Sequence, residues 1–99
     1  MSSPLLRALE NRVVVLDGAM GSTLQSMPLS IDGDYLGHEN CVDLLVRSRP
    51  ELVQQIHESF LAAGSDAVET NTFGANPLVL SEFDSSISDW ARSLNKEAA

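Results

Sequence analysis

Two clusters in the sequence carry residue types that can do chemistry. The first, in "RVVVLDGAMGSTLQ" (Arg12 to Gln25), places Asp17 directly after a β-branched apolar run and follows it with Gly18, Ala19, Met20 and Gly21. A carboxylate there can hold an ammonium group, and small residues let backbone amides come close enough to hold a carboxylate. The two capacities together suit an α-amino acid. Asp-Gly is also a common turn pair, and the residues by themselves leave both readings open. A phosphate site is disfavoured, because its fingerprints need three glycines at fixed spacing or a Lys with a Ser or Thr closing the loop.

The second cluster is "VETNTF", Val68 to Phe73, in which Glu69, Thr70, Asn71 and Thr72 follow one another at the end of an apolar segment. A Glu in such a place is costly to bury unless it is paired or hydrogen-bonded. The stretch reads either as an exposed strand end with Thr chosen for β-propensity or as the polar wall of a substrate pocket. Other reactive side chains are less suggestive. His57 borders the apolar face of a helix and reads as a packing or surface residue. His38, Glu39, Asn40 and Cys41 lack the paired ligand spacing of a zinc site. "DGD" at Asp32 to Asp34 lacks the ligand series of a calcium loop and reads as solvated turn acid.

The elements that must position these clusters follow from periodicity. Leu5 to Glu10 suits a short lead-in helix. Arg12 to Asp17 is a continuous apolar run, the pattern of a strand buried on both faces. Gly18 to Asn40 reads as a long irregular connection. In "SRPELVQQIHESFLAAG", Ser48 and Glu51 have capping-box spacing, Pro50 suits a first turn, and Gly64 suits a C-terminal stop. Leu52, Val53, Ile56, Phe60 and Ala63 share one face of that helix. "SDAVETNTF" then reads as a second strand, Asn76 and Pro77 as the start of a short helix, and "SEFDSSIS" as a loop. "SISDWARSLNKEAA" is a helix with Ile87, Trp90, Ala91, Leu94 and Ala98 on one face. Strand, loop, helix, tight turn and strand make a βαβ pattern, so the expected class is α/β with about two βα units. In an open sheet or a closed barrel, ligands sit beyond the carboxyl ends of the strands, where both clusters fall.

Composition sets the outer bounds. The 99 residues are one small domain at most, and the helical pattern at the C-terminus runs to the last residue without a cap, so a piece of a larger domain truncated within a helix is expected. A net charge of −8 with only six Lys and Arg disfavours nucleic acid and acidic membranes as partners. A single cysteine precludes an internal disulfide, and the N-terminus lacks the apolar stretch of a signal peptide or membrane span, so a cytoplasmic setting is expected.

With both clusters in view, "VVLDGAMGSTLQ", "ENCVDLLVRSRPELVQQIHESFLAAGSDAVETNTFGAN" and "LNKEAA" resemble, in order and spacing, the homocysteine S-methyltransferase family. The similarity is greatest to the homocysteine-binding module of cobalamin-dependent methionine synthases. It spans Val13 to Ala99, and the combination of "DGAMG" with "ETNTF" is what makes it specific. The resemblance implies a (β/α)₈ TIM barrel of which this chain is an N-terminal part. It also implies a zinc ion, held by cysteines this chain does not contain, that binds homocysteine as thiolate for attack on an activated methyl group. By the same resemblance, Asp17 meets the substrate amino group, the amides of Gly18, Ala19 and Met20 meet its carboxylate, and Glu69, Thr70, Asn71 and Thr72 line the pocket.

Where many relatives have Thr after "DGAMG", this chain has Ser22, which keeps the hydroxyl. The implied methyl donor is methylcobalamin, recharged from methyltetrahydrofolate by further folate- and cobalamin-binding modules. The alternatives are a stand-alone enzyme using betaine or S-methylmethionine, and a non-catalytic amino-acid-binding barrel. A full barrel needs roughly 250 residues, so the 99 residues alone are expected to be inactive and unstable or aggregation-prone.

Overall fold

The structure, a computed structural model, describes residues 3–99; Met1 and Ser2 lie outside that range. Helix α1, Pro4–Asn11, begins where Ser3 accepts the Leu6 N–H at 3.1 Å and Pro4 occupies the first turn. It contains the expected lead-in helix and buries none of its residues.

The α/β expectation, and with it the two βα units of a TIM barrel, is corrected by the structure: among the described residues there is no strand and no sheet. Residues 13–19 and 67–70 carry no regular secondary structure and no ladder pairing. They do lie side by side. The Val15 carbonyl accepts from the N–H groups of Asp66 at 2.7 Å and Ala67 at 3.3 Å. The positions that a second strand would fill are instead taken by side chains: Asp66 Oδ2 accepts the Val15 N–H at 2.9 Å, and Asp17 Oδ1 accepts the Glu69 N–H at 3.0 Å. Side-chain carboxylates thus compete with backbone carbonyls for the donors that would make a ladder. Nor is the apolar run buried on both faces, since Val13 is 83% exposed and Val15 and Leu16 are also exposed. With no layer over those side chains, burial does not select a sheet.

The expected irregular connection contains α2, Gly21–Gln25, whose Leu24 is fully buried. After it, the Ser30–Gly37 turn is organised by Asp34, whose carboxylate accepts from the Ser30 N–H and the Arg49 guanidinium. Asp34 is therefore a tie between this turn and the next helix, rather than a merely solvated turn acid. A 3₁₀ turn, Val42–Leu44, leads into α3, Leu45–Ser48, and then α4, Pro50–Ala62.

Helix α4 matches its expected span, but not its expected cap. The Ser48 hydroxyl donates to the Asp34 and Leu44 carbonyls, Arg49 is the N-cap residue without a side-chain cap, and Glu51 pairs with Arg49. Ser48 belongs to the preceding helix, and its hydroxyl is spent on carbonyls earlier in the chain, that of Asp34 foremost. Val53 and Ile56 are buried, Leu52 and Phe60 half-buried, and Ala63 exposed. Gly64 ends the helix at φ +116°, a conformation open to glycine and strained for other residues.

Helix α5, Pro77–Phe83, starts as expected at Asn76, whose side chain accepts the Val79 N–H at 2.9 Å. The segment expected as a loop around "SEFDSSIS" is instead the end of α5 followed by a 3₁₀ helix, Ser85–Trp90, which Asp84 caps by accepting the Ser86 N–H. Helix α6, Ala91–Ala98, continues it. The core forms where α2, α3, α5 and α6 converge, around the fully buried Leu24, Leu44, Leu45, Leu80, Ile87 and Leu94. Removing each of these large side chains from water contributes about 2 kcal/mol. At the edge of that core, Arg47 joins α3 to α6. Its guanidinium lies 4.9 Å from the Trp90 ring centroid and pairs with Glu97 at 3.2 Å.

Candidate functional site

The two polar clusters meet. A cavity of about 400 Å³ is lined by Asp17, Gly18, Met20 and Gly21 on one side and by Glu69, Thr70, Asn71 and Thr72 on the other. Val42, Asp43, Phe73, Gly74, Val79 and Phe83 complete the wall. Of the residues expected from sequence, only Ala19 is not part of this lining; it is exposed, and its carbonyl accepts the Thr23 hydroxyl.

Local structure explains the placement of the first cluster. Asp17 follows the apolar run Val13 to Leu16, and its Oδ1 is fixed by the Glu69 N–H, while Oδ2 accepts from no donor among the described residues. Gly18 passes over α4, where an added Cβ would stand 3.4 Å from Phe60 Cε1, an ordinary contact. The following carbonyls are engaged: Ala19 by Thr23, and Met20 by the Leu24 N–H at 3.0 Å. The N–H groups of Gly18, Ala19 and Met20 meet no acceptor among the described residues. A carboxylate oxygen and a short run of amides are therefore both left with hydrogen-bonding capacity.

The second cluster is held from behind. Asn71, only 6% exposed, donates from Nδ2 to the Val42 carbonyl at 2.8 Å. The hydroxyls of Thr70 and Thr72 are 2.7 Å apart, so one donates to the other. Glu69 is exposed and lies at the cavity. Phe73 is fully exposed beside it.

Sequence reasoning missed Asp43. It is buried, and its Oδ1 accepts the Gly74 N–H at 3.1 Å. Burial pushes its carboxyl above the usual range, against the opposing effect of that N–H. The available signal was an acid set within the apolar run Cys41, Val42, Leu44, Leu45 and Val46. Asp17, Asp43 and Glu69 give the cavity wall three carboxylates, and no Lys, Arg or His lines it.

Among the described residues no group of three or more His, Cys, Asp and Glu side chains is placed to hold a metal ion. Cys41 is buried and lies outside the cavity lining, and burial raises its thiol pKa to about 11. These residues do not fit the zinc site that the family resemblance implies, and no metal ligand is assigned among them. No helix among the described residues is long and apolar enough to cross a membrane.

Comparison with known proteins gives this geometry a context. The chain is 45% identical over 93 residues to the methionine synthase of Mycobacterium tuberculosis, covering 94% of this chain and 8% of that protein. It is 45% identical over 92 residues to the methionine synthase of Mycobacterium leprae, covering 93% of this chain and 7% of that protein. The chain thus spans less than a tenth of the length of these relatives. The family model for homocysteine S-methyltransferases matches residues 14–99, a stretch that takes in both sides of the cavity. By that match the chain belongs to the homocysteine S-methyltransferase family.

Proposed function

We propose that the cavity receives the amino-acid end of homocysteine. The observation that carries this reading is the meeting of Asp17 with Glu69–Thr72 around one cavity, with one Asp17 oxygen fixed and the other without a donor among the described residues. At neutral pH an amino acid presents an ammonium and a carboxylate. The ammonium pairs with Asp17 in a wall that carries acids and no bases, and the carboxylate meets the amides of Gly18 and Met20 at the cavity and of Ala19 between them, which meet no acceptor among the described residues. Glu69, Thr70, Asn71 and Thr72 form the facing wall and orient the substrate. Held by its α-amino acid end, homocysteine presents its sulfur away from Asp17, ready to meet a methyl donor in a fixed direction.

In the whole protein the reaction is methyl transfer to homocysteine, giving methionine. The thiol gives up its proton to solvent, the sulfur lone pair forms the S–CH₃ bond, and the bond between methyl and donor breaks with its electron pair staying on the donor. Zinc, when bound by the whole protein, favours the thiolate form of the substrate at neutral pH. Methylcobalamin as donor and methyltetrahydrofolate as its source are part of this proposal, as are the modules that would bind them. The resemblance to methionine synthases supports them. The residues of this chain are assigned substrate binding only.

The test is titration of homocysteine into the full protein and its Asp17→Asn variant by calorimetry. The amide keeps an acceptor for Glu69 while removing the charge, so affinity should fall roughly tenfold to a hundredfold, with zinc content unchanged. Undiminished affinity, or loss of zinc, would overturn the assignment.

A further inference from the structure

Asp43 and Asn71 are the two buried polar side chains among the described residues, each 6% exposed, and they work on the same seam. Asn71 Nδ2 donates to the Val42 carbonyl at 2.8 Å, and the Gly74 N–H donates to Asp43 Oδ1 at 3.1 Å. Two bonds thus join adjacent residues of the 3₁₀ turn to either end of the Asn71–Gly74 segment. Gly74 is shaped to this seam as well. A Cβ there would stand 2.7 Å from Asp43 Oδ2 and 3.1 Å from Val79 Cγ1, distances that force the neighbours apart. A buried carboxylate without a cation is costly, and the hydrogen bond it makes is what offsets the cost.

We propose that Asp43 is a positioning residue: by holding the Gly74 amide it sets where the Glu69–Thr72 wall stands relative to Asp17, and so fixes the width of the cavity. For its ligand readout this inference rests on the homocysteine reading above. Its structural readout does not.

The experiment compares Asp43→Asn, Asp43→Ala and Gly74→Ala in the full protein, by hydrogen exchange over residues 71–75 and by homocysteine titration. Asparagine retains an acceptor at Oδ1, so Asp43→Asn should keep slow exchange at Gly74 and lose less homocysteine affinity than Asp43→Ala. Asp43→Ala and Gly74→Ala should speed that exchange and weaken homocysteine about tenfold, the effect of one lost hydrogen bond of ~1.4 kcal/mol. Unchanged exchange at Gly74 in Asp43→Ala overturns the proposal. So does an Asp43→Asn variant that keeps slow exchange and yet binds as weakly as Asp43→Ala, because the charge would then act on the ligand directly. If the unmodified protein does not bind homocysteine, the substrate reading fails, and the exchange comparison alone decides the role of Asp43. Should Asp43→Ala not fold, Asp43→Asn and Gly74→Ala still carry the comparison.

Discussion

The main-chain N–H of Glu69 donates to Asp17 Oδ1 at 3.0 Å, closing a separation of 52 positions in the chain. The bond ties the two clusters together around one cavity. One Asp17 oxygen holds the backbone of the opposite wall; the other meets no donor among the described residues, and in the proposed reading it takes the substrate ammonium. Asp17→Asn should therefore weaken homocysteine binding while leaving the wall in place. Asp17→Ala should weaken binding to at least the same degree and also speed hydrogen exchange at the Glu69 amide. Equal exchange in the two variants would show that the bond does not hold the wall.

Asp66 joins the same two segments further from the cavity. Its carboxylate accepts the Val15 N–H and lies 3.0 Å from Arg12, and both contacts hold it below the usual carboxylate range, the amide more than the guanidinium. Because the ion pair is exposed, its own contribution is small and screened by salt. Asp66→Ala should lower the melting temperature of the protein by a few degrees, and Asp66→Asn by less, since its amide oxygen still accepts from Val15. Calorimetry at low and high salt checks the division: the difference between the two variants should persist in high salt.

Much of the site was legible from composition and position, and less of the fold. Asp17 and Glu69–Thr72 were identifiable as polar residues at the ends of apolar segments, and the structure brings them to one cavity. The helices at Pro50 and Pro77 were legible because a proline in the first turn is a local signal, joined at Pro50 by a helical apolar stripe. The strands were not realised, because a β-branched run specifies a strand only when a partner supplies ladder bonds and layers cover its side chains. At Val15 and Glu69, aspartate side chains take the N–H groups instead, and Val13 stays in solvent. Asp43 was overlooked because its role depends on Gly74, 31 positions away, and no local pattern announces it.

The buried Cys41 offers a check on packing. Burial is the larger reason its pKa stands at about 11, and the nearby Asp43 carboxylate adds to it. At neutral pH the nucleophilic thiolate is therefore scarce, and the residue is also only 1% exposed. In the native protein, Cys41 should resist alkylation by iodoacetamide, and should label readily once the chain is unfolded. Peptide mapping of the labelled site measures both. Rapid native labelling would show that the seam around Val42 and Asp43 opens on the timescale of the reaction.

Two acids should pull stability in opposite directions with pH. Asp34 is held below its ordinary value of 3.8, first by the Ser30 N–H and then by Arg49. Its contribution is present above that value and is lost as pH falls through the lower folded value. Asp43 is raised above 3.8 by burial. Its contribution is fully present below 3.8 and is lost as pH rises through the higher folded value, because the folded state must then hold a buried charge. Asp43→Asn removes that penalty and keeps an acceptor for Gly74. The variant should therefore match the unmodified protein in acid and gain on it as pH rises toward neutral. Asp34→Asn should instead fall behind only as pH rises from the lowered folded value of Asp34 to about 3.8, and trail by a constant margin above that. Melting temperatures recorded at a series of pH values separate the two. If Asp43→Asn shows no relative gain toward neutral pH, the Asp43 carboxylate is better solvated than its burial implies.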